Sequence, residues 1–172
     1  MMNTKFVTRA CGLITLLIVT LLTISACRQK PPKTADVPPD APVKNQPLYL
    51  KAILANNIQA TTIVVVPREG CGGCISDACG FLVRNQTKFR PDVSIVFTGV
   101  EDQKLLKKQV GNKFINDAHV KIDLDNYFLA PVIASSYPML IVLKNNGTEL
   151  KSISQLNTAD FKQLKYILKS SI

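Results

Sequence analysis

The chain has 172 residues, of which 47% are hydrophobic and 19% charged, and a formal charge of +9. Once a targeting segment is removed, that length leaves room for one domain of ordinary size with a real core, and no more. The positive residues (Lys104, Lys107, Lys108, Lys113, Lys162, Lys165, Lys169) are spread over the polar faces of predicted helices. Such spreading argues for a solvated basic surface and against a nucleic-acid partner. Attraction to an anionic membrane surface is a simpler use of the charge.

Lys5 and Arg9 form a basic n-region ahead of a nearly unbroken apolar run at 12–25. This is a secretory h-region in length and flank. It ends in Ile24-Ser25-Ala26-Cys27, which resembles the lipobox of bacterial lipoproteins. The resemblance implies cleavage before Cys27 and lipidation of Cys27 with acyl chains such as palmitate. Several chains on one residue make a stable anchor. The alternative is an uncleaved transmembrane helix that ends at a cysteine by chance. On either reading the domain lies outside the cytoplasm, in the bacterial cell envelope and facing the periplasm. Lys5 and Arg9 account for +2 of the charge, so the part after the leader carries +7, and Cys11 leaves with the leader. Six of the ten prolines fall in 28–47, which predicts an extended tether with a reach of about 60 Å. Arg28 stands where some bacterial lipoproteins carry an inner-membrane retention Asp, which leaves the leaflet open. The expected organisation is a leader at 1–26, a lipidated tether at 27–47 and a domain at 48–172.

Within the domain, 48–58 has apolar residues at helical spacing. Thr61 to Val66 is β-branched almost throughout, as a strand buried on both faces would be, and Pro67 ends it. Next comes Arg68-Glu69-Gly70-Cys71-Gly72-Gly73-Cys74, opening a helix that is predicted to run to about Lys88 with Ile75, Ala78, Leu82 and Val83 inward. Two cysteines three apart, at a helix start directly after a buried strand, are the layout of a thiol-disulfide redox centre. The unpaired N–H groups and macrodipole of the helix start favour a thiolate at the first cysteine. The second is close enough to resolve a mixed disulfide.

Farther along, a strand is predicted at 93–98, a short helix at 101–110 closed by Gly111, and a strand at 119–124. Helix is expected at 127–135 around Pro131. A strand at 137–143 leads into the Asn146-Gly147 hairpin signal and an antiparallel return at 148–153. A last helix, capped by Asn157 or Thr158, would turn Phe161, Leu164, Ile167 and Leu168 to one face.

This element order resembles the thioredoxin fold: α/β, a three-layer α/β/α sandwich with a mixed central sheet. Within it, 60–170 is most similar to the membrane-anchored thiol-disulfide oxidoreductases of the TlpA/ResA type. The similarity rests on three features. One is Cys71-Gly72-Gly73-Cys74 opening a helix. The second is Tyr137-Pro138-Met139-Leu140-Ile141-Val142-Leu143 with its hairpin, which matches that family's cis-proline strand. The third is the interval of 64 residues from Cys74 to Pro138, longer than in plain thioredoxins, with the extra chain placed around 99–118.

The resemblance implies that Cys71 is the nucleophile and Cys74 the resolving thiol. Pro138 would be cis, with the Tyr137 backbone docking the partner peptide. Asp77 would stand where a carboxylate tunes the thiols, although a solvated helix residue is an equal reading. No cofactor beyond the disulfide is implied, and no metal. The partners would be protein thiols and disulfides, a membrane electron donor if the protein is a reductant, and the membrane through the lipidated N-terminus. Reduction is the favoured direction.

Several residues depart from that pattern. Gly70 replaces the usual aromatic, there is no Trp, and Gly72-Gly73 lacks the usual Pro. These departures support an alternative, a non-catalytic binding module whose CxxC is a structural disulfide or metal clip. Cys79 reads first as a small buried hydrophobe, with a third redox thiol or a metal ligand as the alternative readings. His119, the only histidine, reads as a solvated or capping residue. A Cys₃His zinc site is disfavoured because three ligands within nine residues of one helix start do not converge tetrahedrally.

Overall fold

The centre of the molecule is strand β1, Thr62–Pro67, all six residues of which are buried. The structure, a computed structural model, describes residues 44–144 and 147–168. The predicted leader, Cys27, most of the tether, and Asn145 and Asn146 of the hairpin lie outside the described residues. β1 pairs in parallel with β2 (Val93–Thr98) on one side and antiparallel with β4 (Met139–Lys144) on the other. β3 (Val120–Asp123) adds in parallel to β2, and β5 (Glu149–Gln155) antiparallel to β4. The five strands therefore run in the order β3-β2-β1-β4-β5.

The period-2 alternation of side chains along β1 divides the core between two faces. Val64 and Val66 face a cluster with Ile75, Leu82, Leu106, Phe114, Phe161 and Leu164. Ile63 and Val65 face another with Tyr49, Ala52, Ile53, Phe128 and Ile141. Helices α2 (Gly72–Asn85), α3 (Gln103–Val110), α4 (Asn112–Ile115) and α5 (Phe161–Leu168) supply the first cluster. Helix α1 (Gln46–Ala55) and a single 3₁₀ turn at Tyr127–Leu129 supply the second. Helices thus cover both sides of a mixed sheet. This is the expected α/β/α sandwich of thioredoxin-like arrangement, with 99–118 forming α3 and α4 on the way to the edge strand β3.

Four expectations change in detail. Pro47, grouped with the tether, lies in the first turn of α1, where a missing N–H loses no helical bond. The segment 127–135 is only that 3₁₀ turn followed by turns. The Asp123 carboxylate takes the N–H groups of Tyr127 and Phe128, and Ala130, ahead of Pro131, is extended, as a residue before proline prefers. In α5, Phe161, Leu164 and Leu168 are buried but Ile167 is 38% exposed, so the inward face is narrower than predicted. The fourth change, at Pro138, belongs to the site.

Asp102 caps α3 by accepting from the N–H groups of Lys104 and Leu105. Gly111 closes the helix at φ +89 and donates to the Lys107 carbonyl, as its sequence position predicts. Asn157 sits in the turn before α5, where its carboxamide oxygen accepts from Ala159 N–H. Among the described residues no helix is long and apolar enough to cross a membrane.

Candidate functional site

The parallel strands end on one rim of the sheet, and β4, running the other way, starts there. The chain leaves β1 at Pro67, and the Arg68 N–H donates to the Thr98 carbonyl at the end of β2. Three residues later Cys71 caps α2. Cys71 and Cys74 are disulfide-bonded, with their Cα atoms 5.3 Å apart. Cys71 is partly exposed while Cys74 is 8% exposed, so the more accessible cysteine is the first.

The local chemistry follows from the helix start. Cys74 N–H points at Cys71 Sγ, 3.4 Å away, and the Ile75 N–H donates to the Cys71 carbonyl. The first of these contacts is the capping bond of an ordinary N-cap oxygen with sulfur in its place. That N–H and the positive end of a 14-residue helix therefore face the position of Cys71 Sγ.

The loop before β4 closes on this site. The Ser136 carbonyl accepts the Cys71 N–H at 2.8 Å. Gly70, at φ +129, lies so close beneath Ser136 that a Cβ there would stand 2.2 Å from its oxygen. The glycine in place of an aromatic therefore has a steric cause: this loop occupies the room a side chain would need. Ser136 is a site residue the sequence reading missed. The signal for it was the Ser135-Ser136 pair directly before Tyr137-Pro138.

The Tyr137–Pro138 bond is trans, since there is no cis peptide bond among the described residues. The cis expectation is therefore corrected. Trans is the lower-energy isomer of an X-Pro bond by about 0.5–1 kcal/mol, and the loop satisfies its backbone in that form. Tyr137 N–H donates to Ser135 Oγ, and the Pro138 carbonyl accepts from Leu156 N–H. Pro138 is buried and Tyr137 half-buried. Ser136, next to them, is the loop residue whose backbone meets the CxxC.

Asp77 sits one turn beyond Cys74 on the exposed side of α2, where its carboxylate accepts the Thr158 hydroxyl at 2.7 Å. This bond ties α2 to the turn before α5. Cys79 is 5% exposed and free, the buried hydrophobe the sequence suggested. Burial pushes its thiol pKa up, against a smaller lowering by the Arg68 guanidinium and a backbone hydrogen bond. Arg68 itself is held by a hydrogen bond to Gln109 Oε1. His119 is half-buried, with Nδ1 2.8 Å from the Val93 carbonyl and its N–H on Asp117. No group of three metal-ligating side chains is assembled among the described residues.

A second structural residue went unread in the sequence. Asp123 is 1% exposed at the end of β3, and each carboxylate oxygen has two donors. Oδ1 takes Asn56 Nδ2 and Tyr127 N–H, while Oδ2 takes the Thr98 hydroxyl and Phe128 N–H. A buried carboxylate needs such complete pairing. The result fixes the loop whose Leu129 side chain lies 3.2 Å from where a Cβ on Gly99 would be, beside Arg68. The period-2 alternation of 119–124 gave no hint of this role.

Comparison with models of protein families and with curated proteins finds no match.

Proposed function

We propose that the chain is an extracytoplasmic, lipid-anchored thiol-disulfide oxidoreductase of the TlpA/ResA type, working as a reductant on protein disulfides. The observation that carries this reading is the Cys71–Cys74 disulfide at the start of α2, its first cysteine partly exposed and its second buried. In the reduced protein the Cys71 thiolate attacks one sulfur of a substrate disulfide. A Cys71–substrate bond forms, and the other substrate sulfur leaves as a thiolate. Cys74, deprotonated, then attacks Cys71 Sγ, which releases the second substrate thiol and restores the Cys71–Cys74 disulfide. Two electrons pass to the substrate in each cycle. They are replaced by a membrane thiol donor, because an oxidising compartment supplies none. The Ile24-Ser25-Ala26-Cys27 sequence supports the anchor, with Cys27 lipidated and the domain in the periplasm on its tether. Tyr137 and Pro138 form the docking edge on this reading, and Asp77 is the carboxylate nearest in sequence to the resolving thiol.

The trans Tyr137–Pro138 bond, with the Ser136 carbonyl already on Cys71 N–H, favours a second reading. In it the protein is a thioredoxin-fold binding module and the disulfide is structural. The reduction potential of the pair separates the two. Equilibration of the chain with a dithiothreitol or glutathione series, followed by thiol trapping, gives a value near about −270 mV for a reductant and near about −120 mV for an oxidant. A pair that does not reduce and reoxidise reversibly removes the enzyme reading and leaves the binding module.

A further inference from the structure

The helix layer that holds Cys71 also presents a basic face. Helix α3 buries Leu106 and Val110. At about 100° per residue, the opposite side of that helix is Lys104, Leu105 and Lys108, all exposed, with Leu105 53% accessible. Lys113 is exposed on α4, and Lys107 is half-buried at the flank. Among the described residues the ion pairs are Arg90–Asp92 and Lys144–Glu149, so none of these four lysines is in an ion pair. Of the acids close by in sequence, Asp102 is turned onto the first N–H groups of α3. Asp117 is held by the Gln86 amide and the His119 N–H. Glu101 is exposed ahead of the helix.

We propose that this face docks on an anionic lipid bilayer. Leu105 enters the boundary between headgroups and acyl chains, and Lys104, Lys107, Lys108 and Lys113 meet lipid phosphates. Four lysines clustered on two adjacent short helices form a polybasic patch of the kind an anionic lipid surface attracts, and the exposed Leu105 sets one apolar side chain among them. A surface for single-stranded nucleic acid needs exposed rings for base stacking. The one aromatic residue of 103–115, Phe114, is 1% exposed. Docking does not depend on the redox role of the disulfide, but it does place that disulfide. Gln109 of α3 holds Arg68, three residues ahead of Cys71, so a docked α3 brings the rim with Cys71 close to the bilayer and to a thiol embedded in it.

The chain has no tryptophan, so one introduced ring reports alone. Full chain carrying Leu105→Trp is reconstituted in phosphatidylglycerol or phosphatidylcholine vesicles that include a brominated lipid. Its companion reporter is Leu54→Trp, at a 77% exposed position of α1 on the other side of the sheet. Docking gives a blue-shifted, bromine-quenched emission from position 105 in phosphatidylglycerol alone, reversed by high salt, with position 54 unchanged. Each lysine near the surface contributes about fivefold. Lys104→Gln, Lys108→Gln and Lys113→Gln together therefore lower the docked fraction relative to undocked by roughly a hundredfold. Emission from position 105 that is the same in both lipids, or unaffected by the three substitutions, overturns the proposal. So does quenching at position 54 in its place. A blue shift at position 105 on adding oligonucleotide to phosphatidylcholine samples assigns the face to nucleic acid instead.

Discussion

Helix α2 carries three cysteines in two environments. Cys71 and Cys74 occupy its first turn, on a rim built from loops. Cys79, five residues on, is packed among Ile75, Leu82 and Phe97 beneath the sheet. In the first turn the N–H groups have no carbonyl of their own helix to bind, and one of them points at a sulfur. Farther down the thiol is buried, and burial outweighs the smaller influence of Arg68 and of a backbone hydrogen bond on it. The same side chain is therefore accessible at one depth and a filler at another. Depth and helix position decide this; the residue type does not.

Leu82, fully buried on the Cys79 side, tests the core half of that contrast. Leu82→Ala should lower unfolding free energy by about 2–5 kcal/mol in a denaturant titration. The reduction potential of the molecules still folded should not move. A changed potential would mean that the rim is not independent of the core beneath it.

The glycines of the rim divide by sign. Gly70→Ala has to fit a Cβ against Ser136 at φ +129 and should destabilise by more than about 1 kcal/mol. Gly72→Ala and Gly73→Ala meet nothing within 4 Å and should each stabilise by about 0.4–1 kcal/mol, through a less flexible unfolded chain. Thermal melts of the three variants read both signs. Equal effects at positions 70 and 72 would show that the Ser136 loop does not press on the site.

The finest distinction concerns reactivity alone. In the reduced, folded protein at neutral pH, iodoacetamide should label Cys71 rapidly and leave Cys79 unlabelled until denaturant is added. Because burial raises the Cys79 pKa, its thiolate should stay scarce at pH values near the ordinary thiol range of about 8.5 and increase only above it. Mass spectrometry of labelled peptides over a pH series reads this. Labelling of Cys79 at the rate of Cys71 would remove the contrast in depth.

Much of this was legible from local pattern. The β-branched run at 61–66, the CxxC after it, Gly111 as a helix stop and the apolar spacing of α2 all act through neighbours in sequence. The fold class followed from their order. The loop at 127–138 was not legible in that way. Its conformation is set by Asp123, by Asn126 at φ 55 with its side chain on Gly99 N–H, and by the Ser136 carbonyl. Asp123 is anchored by Asn56 and Thr98, Asn126 by Gly99 and Ser136 by Cys71, and these contacts join segments far apart in the chain. The trans bond at Pro138 belongs to the same group, because a proline in a sequence permits either isomer.

By itself the sequence determined the strand that must be central, the helix that must follow it and the pair of cysteines at their junction. Periodicity, capping and spacing are local, and each residue carries its share of them. Only the tertiary structure decided why position 70 has no side chain and where Asp77 spends its carboxylate. Those outcomes depend on what meets α2 and the residues before it from the loop ahead of β4 and from the turn ahead of α5. A one-dimensional pattern does not encode such contacts, because they arise when the sheet brings distant loops to one rim.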